Sequence, residues 1–282
     1  FLRRPPARLL VPAKDFCGDV VLADIGIPAD VLVEIAPQSF ENGPALWQAL
    51  LPRRRSRSHK YAHGHLLVSG NPSVITLPIA GPTDVAAALD DPRRNAVLVG
   101  PGNGVTAETR GRAEAAVAAG KAVVLDADAL TVFQDAPDAL WRLIAANPRA
   151  RVVLTPHDGE FQRLFADIAG SRLERARAAA VRSGAVVVLK GADSVVAEPG
   201  GRAAINASAP PWLASGGTGD VLAGMIGGLL AQAEQGAMPA FEAAAAAVWM
   251  HGRAAGLVGP GLIAEDLPEA LTEVLRGIYA TF

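Results

Sequence analysis

Ser215-Gly216-Gly217-Thr218-Gly219-Asp220, with the apolar run Val221 to Leu230 behind it, is the stretch around which the chain is read. Within that run Val221, Leu222, Met225, Ile226, Leu229 and Leu230 recur at helical spacing, so the glycines form a loop ending at the N-terminus of a helix with one buried face. Such a loop favours anions. Glycine lets the backbone approach a phosphate closely, and the first N–H groups of a helix lack intrahelical partners and sit at the positive end of its dipole. Asp220 lies at that same end, where the charged form of a carboxyl is favoured, so it is expected to be ionised at neutral pH and able to accept a proton. A glycine turn with a helix-capping aspartate would look the same locally, and the surrounding chain has to decide between the two.

From His63 onward, short apolar runs alternate with helical stretches. The runs are His65 to Ser69, Ala96 to Val99, Ala122 to Leu125, Val152 to Leu154 and Ala185 to Leu189. Their continuous apolar character suits strands covered on both faces. Helical stretches run roughly from Thr106 to Ala119, Pro137 to Ala146, Gly159 to Ala166 and Ser171 to Ser183. The alternation predicts an α/β domain, a doubly wound, mostly parallel sheet with helices on both faces.

The segments after four of these strands are polar or glycine-rich: Gly100-Pro101-Gly102-Asn103-Gly104, Asp126-Ala127-Asp128, Thr155-Pro156-His157-Asp158-Gly159-Glu160 and Lys190-Gly191-Ala192-Asp193-Ser194. All fall at carboxyl ends of strands, the edge where open α/β sheets bind ligands. Gly102 and Gly104 permit close backbone approach to a ligand. Asp126 and Asp128 are suited to a metal-bound water or a helix cap, with capping expected of Asp128. His157 is either a hydrogen-bonding residue of a cleft or a satisfied structural histidine. Glu160 can cap its helix or reach a magnesium ion through water. Lys190 places a cation where a phosphate could meet it. The chain has neither a Gly-x-x-x-x-Gly-Lys-Ser/Thr loop nor a Gly-x-Gly-x-x-Gly after its first strand, which disfavours P-loop enzymes and standard dinucleotide oxidoreductases.

Composition narrows the classes further. The 282 residues are 50% hydrophobic and 19% charged, and 26 basic against 28 acidic residues give a net charge of -2, with no nucleic-acid footprint. The one basic cluster, Arg53-Arg54-Arg55-Ser56-Arg57-Ser58-His59-Lys60, is a solvated linker or a set of cations near a polyphosphate. Cys17 is the only cysteine, which excludes an intrachain disulfide and makes a reducing, cytoplasmic compartment the default. No apolar stretch has the length of a membrane span; Ala243 to Met250 is bounded by Glu242 and His251. The opening Phe1-Leu2-Arg3-Arg4 suggests a chain that begins inside a longer protein. Residues 1–50, with a strand at Val20 to Ala23 and a turn at Asp24-Ile25-Gly26-Ile27-Pro28, read as the tail of another domain plus linker, and 51–282 as the α/β domain. The alanine-rich Glu242 to Ala255, with His251, reads as a packing helix, which leaves room for a homo-oligomer interface.

Taken together and in order, Val99-Gly100-Pro101-Gly102, Thr155-Pro156-His157-Asp158-Gly159-Glu160, Leu189-Lys190-Gly191-Ala192 and Gly217-Thr218-Gly219-Asp220-Val221-Leu222-Ala223-Gly224-Met225-Ile226 resemble the ADP- or ATP-dependent NAD(P)H-hydrate dehydratases, a family with the ribokinase-like fold. The segment Ala23 to Pro28 resembles the closing strand of the NAD(P)H-hydrate epimerase domain that often precedes the dehydratase. The resemblance implies repair of hydrated NADH or NADPH: the hydroxyl at C6 of the nicotinamide ring is phosphorylated by the nucleotide, and phosphate is then eliminated. It implies Asp220 as the base and Gly217, Thr218 and Gly219 as the anion hole. Lys190, Gly191, Ala192, Asp193, Ser194 and Gly219 would contact ADP or ATP; Gly102, His157 and Asp220 the hydrated dinucleotide; and Glu160 a Mg2+ ion through water. The sequence departs from the family after Gly70: where the family continues with a Gly-Ala segment and a helix lining the dinucleotide site, this chain goes directly to Asn71-Pro72-Ser73-Val74-Ile75-Thr76, so that a segment of a few dozen residues is expected to be missing. The alternatives are a small-molecule kinase of the same fold, which would accumulate a phosphoester, and a nucleotide-binding module without activity.

Overall fold

The computed structural model describes residues 10–18, 30–52, 64–69, 81–232 and 238–280. The expected strand at Val20 to Ala23 with its turn, the basic run Arg53 to Lys60 and the departure at Asn71 to Thr76 lie outside the described residues. Eight strands form one sheet: β1 (Ser39–Glu41), β2 (His65–Ser69), β3 (Arg94–Val99), β4 (Ala122–Leu125), β5 (Arg151–Leu154), β6 (Val186–Leu189), β7 (Val195–Ala197) and β8 (Ala203–Ile205). Their spatial order is β1-β8-β7-β6-β5-β4-β3-β2. Only β7 runs antiparallel to its neighbours, so the carboxyl ends of the other strands share one edge.

Ten helices accompany the sheet among the described residues: α1 (Val31–Ile35), α2 (Pro82–Leu89), α3 (Ala107–Ala118), α4 (Asp128–Thr131), α5 (Pro137–Ala146), α6 (Asp158–Leu164), α7 (Arg172–Ser183), α8 (Thr218–Ala231), α9 (Ala240–Val258) and α10 (Asp266–Tyr279). Side chains alternate across the sheet, which is why each strand reads as continuously apolar. Val97, Val99, Val123, Leu125, Leu154 and Leu189 face the crossover helices α2 to α7, whereas Ala96, Leu98, Val124, Val153 and Val188 face α8, α9 and α10. The two cores are therefore separated by the sheet and built from adjacent residues of the same strands. Local signals place the helices. Pro137 opens α5 at its first turn; Ser171 and Glu174 form a reciprocal capping box on α7; Gly184 closes α7 in the left-handed conformation.

Residues ahead of the expected boundary near residue 51 contribute to the sheet. Ser39, Phe40 and Glu41 pair in parallel with Ala203, Ala204 and Ile205 as the far edge of the sheet, and Arg177 holds that edge by donating to the Gln38 carbonyl (2.6 Å) and Ser39 Oγ (2.9 Å). Trp47 is buried and donates through Nε1 to Asn42 Oδ1, while Asn42 donates to the Ala245 carbonyl at 2.7 Å. A three-residue edge strand has no room to display a period, so residues 39–51 look in sequence like a connector.

Candidate active site

The glycine loop sits at the carboxyl edge of the sheet and leads into α8, as the spacing predicts. Gly217 adopts φ +82°, the left-handed region that glycine enters without penalty, and a Cβ there would stand 3.1 Å from Ala264 Cβ. Thr218 Oγ1 lies 2.8 Å from the Leu213 carbonyl and 2.9 Å from that of Ser215, and Ser215 Oγ donates to the Leu262 carbonyl at 3.1 Å. The loop is thus tied to the chain on both sides of it. The amides of Asp220 and Val221 both donate to the Gly217 carbonyl. Among the described residues those of Thr218 and Gly219 have no backbone acceptor, which leaves them as first-turn donors for an anion.

Lys190 faces this helix end. Its Nζ is 2.7 Å from Asp126 Oδ1, and a Cβ on Gly219 would lie 3.4 Å from the same Nζ. Asp126 is buried, and its second oxygen has no partner among the described residues. The backbone between Asp126 and Asp128 is strained: Ala127 has φ +48° and ψ -117°, a conformation that costs a non-glycine residue roughly 1–3 kcal/mol and is typical of sites that aim neighbouring side chains. Asp128 does not cap α4 as expected. It is the first residue of that helix, and its Oδ2 instead accepts the amide of Gly104 at 2.8 Å, tying the Gly100–Gly104 loop to the β4 edge.

Asp220, at the third position of α8, differs in electrostatics from the expectation. Partial burial, then the carboxylates of Asp126 and Asp128, push its pKa up from the ordinary 3.8, against the pull of Lys190. The helix terminus alone would lower it; desolvation and two like charges act in the other direction. A raised pKa makes the carboxylate a stronger base once it is ionised.

His157 and Glu160 form the N-terminus of α6. His157 Nδ1 accepts the amides of Gly159 (2.9 Å) and Glu160 (3.2 Å), while Glu160 Oε2 accepts the amide of His157 (2.8 Å). Accepting at Nδ1 places the neutral ring's proton on Nε2, which lies 3.6 Å from Glu160 Oε1. The imidazole is more than half exposed at the edge, so the ring is both a cap and an accessible surface. Of the two roles expected for Glu160 the structure shows the cap. The Lys190 amide donates to the Pro156 carbonyl (2.9 Å), and a single parallel bridge pairs His157 with Lys190, bringing the two loops side by side.

The other expected residues divide by exposure. Gly191 and Ala192 are exposed, as is Gly102, where a Cβ would meet nothing within 4 Å. Asp193 is buried with both oxygens engaged, one 2.8 Å from Arg172 Nε and the other accepting the Val11 amide. Ser194 Oγ closes the loop on the Gly191 carbonyl. Two residues that the sequence pattern does not assign to the site sit close to this group. His251 of α9 is buried and hydrogen-bonds the Thr218 backbone, its Nε2 without a partner among the described residues. Its only signal in sequence is a lone imidazole in an alanine-rich helix. Arg172, the other, is one basic residue among several on an exposed-looking helix.

A mostly parallel sheet with one antiparallel strand, and a glycine loop at its carboxyl edge ending in an aspartate on a helix, is the ribokinase-like α/β fold. Within that class the chain belongs to the NAD(P)H-hydrate dehydratase family, whose sequence model matches residues 61–275. It is similar to the bifunctional NAD(P)H-hydrate repair enzyme Nnr of Thermosynechococcus vestitus, at 33% identity over 88% of this chain and 56% of that one. That alignment runs over 295 residues, so the relative carries residues with no counterpart here. The ADP-dependent (S)-NAD(P)H-hydrate dehydratase of Neisseria meningitidis is 40% identical over 62% of this chain and 61% of its own. Among solved structures, an ADP/ATP-dependent NAD(P)H-hydrate dehydratase from Bacillus subtilis, co-crystallised with ATP and Mg2+, superposes with TM-score 0.63 at 24% identity over 85% of this chain and 98% of that one. The chain spans a little over half the length of the T. vestitus relative.

Proposed function

We propose that the chain dehydrates hydrated NADH or NADPH at the expense of ADP or ATP. The observation that carries this reading is the convergence of a base and an anion cradle: Asp220, with its pKa raised, on the same first helical turn as the Thr218 and Gly219 amides, with Lys190 beside Gly219. In the first step Asp220 takes the proton of the C6 hydroxyl, whose oxygen forms a bond to the terminal phosphorus as the nucleotide departs one phosphate shorter. The helix amides and Lys190 stabilise the charge on the transferring group. In the second step the C6–O bond breaks and its electron pair leaves with phosphate, while the C5 proton passes to water and the C5–H pair becomes the restored dihydronicotinamide double bond. Phosphorylation is what turns hydroxide, a poor leaving group, into a good one.

On the donor side the exposed Gly191 and Ala192, the Lys190 ammonium and Gly219 would contact the nucleotide, and Asp193 and Ser194 would shape the loop from within. On the acceptor side Gly102 and the exposed face of His157 would meet the hydrated dinucleotide. Among the described residues no three His, Cys, Asp or Glu side chains converge as metal ligands. A magnesium ion brought in by the nucleotide would be held mainly by phosphates, with the unpartnered oxygen of Asp126 and, through water, Glu160 as the carboxylates this reading gives it. Such an ion would neutralise phosphate charge. A cytoplasmic setting agrees with the free Cys17 and with the reaction's need for nucleotide.

Product analysis tests the reading. Hydrated NADH incubated with Mg2+ and either ADP or ATP should give reduced nicotinamide and inorganic phosphate in equal amounts, with one of the two nucleotides consumed. Accumulation of a phosphorylated dinucleotide without phosphate release would make the chain a kinase and contradict the proposal.

A further inference from the structure

Three elements meet on one guanidinium at the edge of this site. Arg172, the first residue of α7, has Nε 2.8 Å from Asp193 Oδ1, donates from Nη1 to the Lys190 carbonyl at 3.0 Å, and has Nη2 2.6 Å from Asp158 Oδ2. Every nitrogen of the fork thus has a different partner. The side chain is four-fifths buried, and it lies directly on the backbone of Gly191: a Cβ there would stand 2.7 Å from Nη1, 2.8 Å from Cζ and 3.0 Å from Nη2. Asp158 is the residue after His157 and is also held by Arg175 at 3.1 Å. Asp193 lies inside the Lys190–Ser194 loop.

We propose that Arg172 is a positioning residue, which locks the donor loop Lys190–Ser194 onto the acceptor loop His157–Glu160 so that both are preorganised before either ligand arrives; which ligand each loop takes rests on the function proposed above. The backbone bridge between His157 and Lys190 sets the two loops in register, and Arg172 is the side chain that holds that register from beneath. A planar fork with five donors can serve a backbone carbonyl and two carboxylates together, whereas a lysine ammonium has no such geometry. Removing the guanidinium leaves the Asp193 carboxylate buried with its charge uncompensated, so the loop must open to water to solvate it. An opened loop then has to be re-ordered by the ligand, and affinity falls.

The test uses the full chain as Arg172→Ala and Arg172→Lys. In ligand-free protein, hydrogen exchange should show lost amide protection in both 157–160 and 190–194 for Arg172→Ala, with protection in α9 retained. Mg·ATP and Mg·ADP, titrated calorimetrically, should bind about tenfold more weakly to either variant, a change of about 1.4 kcal/mol. Millimolar guanidinium should restore nucleotide affinity to Arg172→Ala, and ammonium should not, a selectivity that a merely stabilising residue would not show. Unchanged protection of both loops, loss confined to 190–194, or restoration by ammonium as well as guanidinium would overturn the proposal. If Arg172→Ala does not fold, Arg172→Lys carries the exchange measurement. Because exchange needs neither ligand nor turnover, a wild-type protein that fails to regenerate reduced nicotinamide contradicts the function while leaving the positioning role to stand or fall on its own readout.

Discussion

Asp220 and His251 show how burial sets the chemistry of single residues here. The Asp220 pKa is raised first by desolvation and then by Asp126 and Asp128, so a reaction that needs the ionised carboxylate slows as pH falls through that raised value. Asp126→Asn removes a like charge and releases Lys190 from its pair, and both changes favour the Asp220 anion. The acid limb of the kcat/KM profile should therefore move to lower pH in that variant; an unmoved limb would remove Asp126 from the account. His251 is pushed down to about 4 by burial, with a smaller push from the Lys190 charge and an opposing hydrogen bond to Thr218. A folded pKa below the ordinary 6.5 means that the unfolded chain binds the proton more readily, so the stability His251 contributes is full above pH 6.5 and is lost as pH falls toward 4. Thermal melts should show wild-type Tm declining across that window, and His251→Gln should flatten part of the decline. Asp220 was legible in sequence because its loop has a spacing. His251 was not, because a histidine's partner on another helix leaves no local trace.

The elements divide by length. β2 to β6 and helices α3, α5, α6 and α7 match the apolar runs and helical periods within a few residues, since each is long enough to show its pattern or is bounded by capping residues such as Ser171 and Gly184. β1, β7 and β8 have three residues each and were not expected. The pairing of β1 rests on Asn42 and Arg177, contacts distant in sequence, whereas β7 and β8 form a hairpin closed by the turn Glu198 to Arg202. The central element is α8 with its entry loop. Gly217→Ala forces a side chain into φ +82° against Ala264, which should cost about 1–2 kcal/mol in denaturant unfolding. The larger effect should be on turnover, because the amides of Thr218 and Gly219 shift with the loop; a variant with wild-type kcat would show that those amides are not aligned on the reacting group.

Across the whole molecule, the site owes its position to topology. Parallel strands bring Gly100, Asp126, Thr155 and Lys190 to one edge, α8 arrives there from the opposite face, and the sheet keeps two separate cores rigid beneath them. That convergence is why the order of motifs along the chain was a better guide than any one of them. No helix among the described residues is long and apolar enough to cross a membrane. The most direct test of the account is regeneration of reduced-nicotinamide absorbance from purified hydrated NADH with Mg2+ and saturating ADP or ATP, comparing this chain with Asp220→Asn. The account predicts nucleotide-dependent recovery by the wild type, and loss of at least 100-fold in rate, on the order expected for removing a general base, in a variant that still binds nucleotide. Recovery at the wild-type rate by Asp220→Asn, or none by the wild type while it binds nucleotide, would contradict it.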